Sequence, residues 1–142
     1  MSYLYETHMH TCLASACGVS TGKEHVHFYK DQGFTGIIVT DHFFGGNTCV
    51  PRDLPWEKRI DLFFRGYEDA LEEGLKVGLD VFFGLEQNYD HDEYLIYGLT
   101  KEYMKAHQPS PKNAASDSPL DDETSRTPRR DIPLSIQHTE RD

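Results

Sequence analysis

Two short apolar runs limit the folds that this chain of 142 residues can adopt. Gly36 to Thr40 reads GIIVT, and Leu79 to Glu86 reads LDVFFGLE. Continuous apolar runs rich in β-branched and aromatic residues are typical of strands that are buried on both faces. Between the runs, apolar residues recur at helical spacing: Ile60, Phe63, Tyr67, Ala70, Leu71, Gly74 and Val77. Two buried strands joined by a helix predict a parallel sheet with right-handed crossovers, and therefore the α/β class.

The remaining patterns predict further elements around these runs. Leu4 to His8 is expected to form a first strand, and Tyr94 to Leu99 a fourth. The sequence from Thr21 to Glu24, TGKE, has the form of a capping box, which predicts a helix that closes at Gly33. Asp53 and Pro55 predict the start of the helix that carries the apolar stripe. The predicted order is therefore strand, helix, strand, helix, strand, strand.

The amino-acid composition changes abruptly at His107. All 17 aromatic residues and all 11 glycines lie before it, and five of the seven prolines lie after it. A segment rich in Ser, Pro, Asp and Arg cannot bury enough apolar surface to offset the entropy that is lost on ordering. We therefore interpret residues 1–106 as one folded domain and predict that residues 107–142 are a mostly disordered tail.

Charge and cysteine content exclude several classes of function. The net charge is −10, and residues 1–106 hold nine Lys and Arg against 17 Asp and Glu, which argues against a general nucleic-acid surface. Three cysteines at unpatterned spacings do not fit a disulfide framework or a zinc ribbon. No apolar run approaches the length of a membrane span, and no signal-like leader precedes Tyr3. We therefore expect a reduced, cytoplasmic, soluble protein without a membrane partner.

Side chains that can bind metal lie at or next to the ends of three predicted strands. His8 and His10 are two residues apart, so in a strand both imidazoles lie on one face. Such a pair alone is weak evidence, because surface histidines at this spacing are common. However, Asp41 and His42 directly follow GIIVT, and Glu86 directly follows LDVFFGL. Ligand-binding groups collect at the carboxyl ends of strands in α/β folds, so these residues predict one metal site.

The residue types restrict the metal and the chemistry. Imidazoles and carboxylates without an obligatory thiolate suit Zn, Mn or Fe, and not a closed structural zinc. Each oxygen of Glu86 can bind a separate ion, so this carboxylate can bridge two ions. Clustered divalent ions activate water and clamp phosphoryl oxygens, which predicts a hydrolase that acts on phosphate esters. The small residues that follow His10 leave room for further ions and for substrate.

These residues resemble the motifs of a known family. ETHMHT, the TDH at Thr40 to His42 and the GLE at Gly84 to Glu86 are similar to the first motifs of the PHP (polymerase and histidinol phosphatase) domain. The similarity to stand-alone bacterial PHP phosphoesterases extends almost throughout residues 3–106. It implies the N-terminal part of a distorted, TIM-like β/α barrel of about seven strands, with up to three divalent metal ions at its carboxyl-end mouth.

The resemblance also implies a role for each matching residue. His8 and His10 would hold one ion, Glu86 would bridge two ions, and His42 would bind another. Asp41 would orient a ligand without binding the ion itself, and with Glu86 it forms the expected catalytic group.

Two departures from the family pattern affect the expected function. Where many relatives have a metal-binding His or Asp, this chain has Cys17; a thiolate could substitute, but a buried structural cysteine is the favoured interpretation. The later ligands of the family have no counterpart, and His107 and His138 stay unassigned because they lie in the tail. A complete barrel needs on the order of 250 residues, so we expect a truncated domain whose tail replaces a lost half or follows a shifted reading frame. Its exposed sheet edge would allow self-association.

Three functions are open at this point. The first is metal-dependent hydrolysis of a small phosphate ester, such as histidinol phosphate or a nucleotide phosphate. The second is a PHP module of a DNA polymerase that serves as nuclease or scaffold, which the acidic charge disfavours. The third is an inactive, truncated fragment that binds metal.

Other histidines and one arginine have weaker claims to a role in the site. His25 and His27 lie on the first predicted helix among polar neighbours, so we expect them to be solvated. His91, in the polar turn NYDHDE, could contact metal or substrate, and Arg52, in the loop after the second strand, could contact a phosphate.

Overall fold

The computed structural model describes residues 2–109 and the backbone of residues 136–139. These residues form five strands and four helices. The elements in chain order are β1 (Tyr5–Met9), α1 (Gly22–Asp31), β2 (Gly36–Val39), α2 (Trp56–Phe63), α3 (Arg65–Val77), β3 (Asp80–Tyr89), β4 (Asp92–Tyr97), α4 (Lys101–Ala106) and β5 (Ile136–Thr139).

The strands form one mixed sheet in the order β1-β2-β3-β4-β5. β1, β2 and β3 are parallel neighbours, and the pairing of β2 with β3 runs from Gly36 opposite Asp80 to Val39 opposite Phe83. β3 and β4 are antiparallel and form a hairpin whose turn residues, Asp90 and His91, have positive φ. The α/β prediction is confirmed, and the curled sheet has the form of part of a barrel.

Local sequence signals explain where α1 begins and ends. Thr21 is the N-cap residue, and its side chain accepts a hydrogen bond from the backbone N–H of Glu24. The Glu24 carboxylate accepts one from the N–H of Thr21 in return, which completes the predicted capping box. Gly33, just after the helix, has a φ of +82°, a conformation in which glycine carries no Cβ penalty.

The apolar stripe between the buried strands forms two helices and not the single helix that its spacing predicts. Phe64 ends α2 and begins α3. Consecutive Phe63 and Phe64 are both buried in the same hydrophobic cluster. Neighbouring side chains on one continuous helix point about 100° apart, so a break at this position lets both rings enter the same cluster.

Two hydrophobic clusters pack the helices against the sheet. One packs α1 and α3 against β2 and β3 and includes Val26, Ile37 and Ala70. The other contains Phe43 and Phe44, which lie four and five residues after the end of β2, together with residues of α2, β3, β4 and α4. The chain segment between the clusters, residues 40–42, is therefore held firmly at the carboxyl edge of the parallel strands.

Part of the tail differs from its prediction. Residues 136–139, within the segment expected to be disordered, form β5 and pair antiparallel with β4. Residues 110–135 and 140–142 lie outside the described part of the chain, so the prediction of disorder and the proposed domain boundary are not tested there. Among the described residues, no helix has the length and apolar character that crossing a bilayer requires.

Candidate metal centre

His8 of the first strand and His10, directly after it, meet the carboxylate of Glu86 in the third strand. His8 lies in β1 and His10 directly follows it, and their Nε2 atoms are 3.3 Å apart. Oε2 of Glu86 lies 2.7 Å from Nε2 of His8 and 2.6 Å from Nε2 of His10. Both imidazoles donate to this one oxygen, so the three predicted residues form a single cluster.

Backbone pairing beyond the strands brings these side chains together. The N–H of Thr40 donates to the carbonyl of Met9, and the N–H of Glu86 donates to the carbonyl of Asp41. His42 then forms an isolated parallel bridge with Glu86. The sheet therefore continues for a few residues past the parallel strands and aligns the three chain segments at one edge.

The sequence pattern predicted that Glu86 ends a strand. In the structure it lies inside β3. β3 extends to Tyr89 because its second half pairs with β4, from Gly84 opposite Tyr97 to Tyr89 opposite Asp92. The parallel part of β3, however, stops at Phe83. Glu86 is thus three residues beyond the parallel pairing, where the predicted site lies.

His42 and Glu93 enlarge the cluster on its other side. Nδ1 of His42 lies 4.0 Å from Oε2 of Glu86, and the His42 ring centroid is 4.2 Å from that of His10. A second carboxylate, Glu93 of β4, forms a group with His42 and Glu86 whose ligand atoms lie within 4.8 Å of one another. Sequence analysis missed Glu93, because antiparallel pairing of β3 with β4 decides that it faces Glu86 diagonally.

The electrostatic environment favours an ionised Glu86. Only 1% of its side chain is exposed, and this burial raises its pKa. Hydrogen bonds from His10 and His8 outweigh burial and hold the pKa of Glu86 well below its usual range. The same hydrogen bond is the main reason that the pKa of His8 is raised, against the opposing effect of burial. A buried negative charge therefore faces three imidazoles.

Asp41 lies beside the cluster and fixes the loop that follows β1. Its carboxylate accepts hydrogen bonds from the backbone N–H of Thr11 at 2.6 Å, from the Thr11 hydroxyl at 2.8 Å and from the Ser15 hydroxyl at 2.7 Å. The Ser15 hydroxyl oxygen in turn accepts from the backbone N–H of His42 at 2.9 Å. Burial raises the pKa of Asp41, and these hydrogen bonds oppose the rise. Its described bonds thus fix the backbone next to His10 and His42 and do not reach an imidazole.

Cys17 is not the buried structural residue that the favoured interpretation assumed. It is exposed, and its Sγ atom lies 3.3 Å from Nδ1 of His10. With His10 and His42 it forms a third group whose ligand atoms all lie within 4.8 Å of one another. Sequence analysis could not resolve this position, because a loop has no periodicity that fixes the direction of its side chains.

The other histidines divide into one that supports the cluster and several that do not enter it. His25 is half-buried, contrary to the expectation of a solvated ring, and its Nε2–H donates to the backbone carbonyl of His10 at 2.9 Å. His27 is exposed and pairs with Glu73 at 2.8 Å. His91 and Arg52 are both exposed.

The cluster of His8, His10 and Glu86 fits a divalent cation. Two nitrogens bound tetrahedrally to zinc lie about 3.3 Å apart when each Zn–N bond is about 2.0–2.1 Å. The two Nε2 atoms already have this separation, at 3.3 Å. The Glu86 oxygen lies at hydrogen-bond distance from both nitrogens, so it must move outward by about 0.7 Å to become a third ligand. The donor set is that of a zinc, manganese or iron site.

Comparison with solved structures finds a similar fold. A crystal structure of a protein assigned as a metal-dependent phosphoesterase from Bifidobacterium adolescentis matches 75% of this chain with 18% sequence identity and a TM-score of 0.49. This chain spans 32% of the length of that structure. No protein-family model matches the chain, and no curated protein matches it. Because the sequence identity and the TM-score are both low, the proposed function rests on the side-chain geometry.

Proposed function

We propose that this chain carries part of the active centre of a metal-dependent phosphoesterase of the PHP type. One observation supports the proposal above all others: a single buried carboxylate oxygen lies within 2.7 Å of the Nε2 atoms of two histidines. His42 and Glu93 lie next to it and can serve a second ion. A surface ion pair would require neither the burial of Glu86 nor this convergence of imidazoles.

The residues of the chain divide the work of the proposed reaction. A divalent cation held here would activate a water molecule and neutralise negative charge on a phosphoryl group. Ionised Glu86 supplies the compensating negative charge and, with His8 and His10 on one side and His42 on the other, has the position of a bridging ligand. His25 fixes the backbone of His10, and Asp41 fixes that of Thr11, so both limit the movement of the ligands.

The proposed substrate is a small phosphate ester, such as histidinol phosphate or a nucleotide phosphate. The acidic charge of the chain supports a small substrate over a nucleic-acid polymer, because it repels phosphate backbones. The chain spans 32% of the length of the matching structure. That a complete enzyme containing this chain hydrolyses such esters is therefore a proposal as well.

The experiment combines metal content with hydrolysis. Purified protein is loaded with Zn²⁺ or Mn²⁺, desalted and analysed for bound metal, and hydrolysis of p-nitrophenyl phosphate is measured with and without a chelator. His8→Ala and Glu86→Ala should each lower metal affinity at least about 10- to 100-fold and abolish any hydrolysis, because each removes a ligand.

His27→Ala is the matched control. His25 and His27 form a second H-x-H pair, but on a helix such side chains diverge, and His27 points to Glu73. This variant should bind metal like the wild type. Chelator-resistant hydrolysis, or full metal retention in both His8→Ala and Glu86→Ala, would exclude the proposed mechanism.

A further inference from the structure

The first strand contains one extra residue just before the metal cluster. Glu6 pairs with Ile37 of β2, and the next pair lies three residues further along β1 but only two residues further along β2. Such an irregularity is a β-bulge, which disrupts the pairing locally and changes the direction of the side chains that follow it. The extra residue lies at Thr7 or His8, the two residues between these pairs.

The bulge decides which way His8 points. The carboxylate of Glu6 accepts a hydrogen bond from a tyrosine hydroxyl of α1, and Met9 is buried in the cluster that packs α1 and α3 against the sheet. Regular alternation would put these two residues, three positions apart, on opposite faces, and it would put His8 on the same face as Glu6. The extra residue instead returns Met9 to the helix side and leaves His8 on the opposite face, directed at Glu86.

Side chains bond both polar groups of the peptide that joins Thr7 to His8. The N–H of His8 donates to Oε1 of Glu6 at 3.0 Å. The carbonyl oxygen of Thr7 accepts a hydrogen bond of 2.8 Å from the hydroxyl of Tyr97. A peptide unit is planar, so bonds to its N–H and its carbonyl oxygen together fix the rotation of the whole plane. The Cα atom of His8 lies in this plane, so the orientation of the peptide sets the direction of the imidazole.

Tyr97 reaches this peptide from a distant strand of the same sheet. It lies in β4, three positions from β1 in the strand order, and strands at that separation in a flat sheet would be about 14 Å apart. One tyrosine side chain spans the gap because the sheet curls. Gly84, directly opposite Tyr97 in β3, leaves the space that the ring needs, since a Cβ on it would lie 2.8 Å from Cδ1 of Tyr97. The hydrogen bond to Thr7 therefore joins two strands that are not neighbours.

We propose that Tyr97 is a positioning residue for the metal centre: its hydroxyl holds the peptide between Thr7 and His8 in the bulge and so keeps the His8 imidazole directed at the ion. The inference rests on the proposed metal-dependent function. Without the hydroxyl, the peptide keeps only its bond to Glu6, which is close by in the same strand and does not tie the bulge to the rest of the sheet. The peptide can then rotate, and the ligands are no longer held in the geometry that binding requires.

A double-mutant cycle on the full chain tests the proposal. The affinity for Zn²⁺ is measured by competition with a chelating dye, and urea unfolding measures the stability of each variant separately. Tyr97→Phe keeps the ring and removes only the hydroxyl, and it should lower the affinity at least about 10-fold. In the background of His8→Ala, the same change should alter the affinity by less than about 2-fold, because Tyr97 acts through His8. A general weakening of the fold would not depend on whether His8 is present.

Tyr5→Phe is the matched control. The Tyr5 hydroxyl donates to Oδ2 of Asp80 at 3.0 Å, so this variant also removes a tyrosine hydrogen bond of β1, but at the start of the strand, before the bulge. It should bind Zn²⁺ like the wild type. Wild-type affinity in Tyr97→Phe, equal losses with and without His8, or a loss of the same size in Tyr5→Phe would each overturn the inference and leave the proposed function standing. If the wild type binds no Zn²⁺, the proposed metal centre itself fails, and this inference fails with it.

Discussion

The close contact between α3 and the loop after β1 predicts a large effect of one added methyl group. Gly66, near the start of α3, has no space for a Cβ: such an atom would lie 2.5 Å from Oδ2 of Asp41 and closer still to the hydroxyl oxygen of Thr11. The Thr11 hydroxyl donates a hydrogen bond of 2.8 Å to Oδ2 of Asp41, and the Ser15 hydroxyl donates another to the same carboxylate. Neither atom can therefore move away without breaking a buried hydrogen bond.

The expected cost of Gly66→Ala follows from three contributions to the free energy of unfolding. Overpacking costs about 1–3 kcal/mol. Disruption of the Thr11–Asp41 hydrogen bond, which involves a charged acceptor, costs about 1.5–3 kcal/mol. The higher helix propensity of alanine recovers about 1 kcal/mol. The variant should therefore be less stable by about 3 kcal/mol, and its affinity for metal should fall because Thr11 directly follows the ligand His10.

Urea unfolding monitored by circular dichroism measures the effect. With a slope of about 2 kcal/mol per M, the midpoint should fall by about 1.5 M. Gly46→Ala is the control: a Cβ there would lie 3.3 Å from its nearest neighbour, the backbone oxygen of Phe43, so this variant should lower the midpoint much less than Gly66→Ala. If Gly66→Ala unfolds at the same or a higher urea concentration, helix propensity dominates and the described contact of α3 with Asp41 is refuted.

Three further predictions concern protons, the second carboxylate and the sheet edge. The pKa of His8 is raised, mainly by its hydrogen bond to Glu86, so protons compete with metal for His8 over a higher pH range than for an ordinary histidine. The affinity for Zn²⁺, measured by competition with a chelating dye, should therefore fall as the pH is lowered through that raised pKa. An affinity that does not change with pH would contradict the assignment of His8 as a ligand. Glu93→Gln should lower the amount of metal bound at saturation, because Glu93 belongs to the group with His42 and Glu86; unchanged stoichiometry would exclude Glu93 as a ligand. β1 is an edge strand of the described sheet, so we propose self-association through it; light scattering should decrease in Thr7→Lys, and identical scattering by both proteins would argue for another surface.

The sequence by itself determined the local structure and the first ligands of the site. The capping box at Thr21 and Glu24 and the buried run at β2 depend on neighbouring residues alone, so their elements appear where the pattern predicts them. His8 and His10 share a face because side chains in an extended segment repeat every two residues. Asp41 and His42 directly follow a buried parallel strand, which predicts that they lie at its carboxyl edge.

Only the tertiary structure decided which other side chains join these residues. Glu93 reaches Glu86 through the antiparallel register of β3 and β4, and His25 reaches the backbone of His10 because α1 packs next to the end of β1. Cys17 faces His10 because hydrogen bonds to distant loop residues fix its loop. Such contacts join residues that are separated along the chain or lie in segments without periodicity. The geometry of these contacts depends on how distant segments pack together, and a pattern of neighbouring residues does not predict this packing.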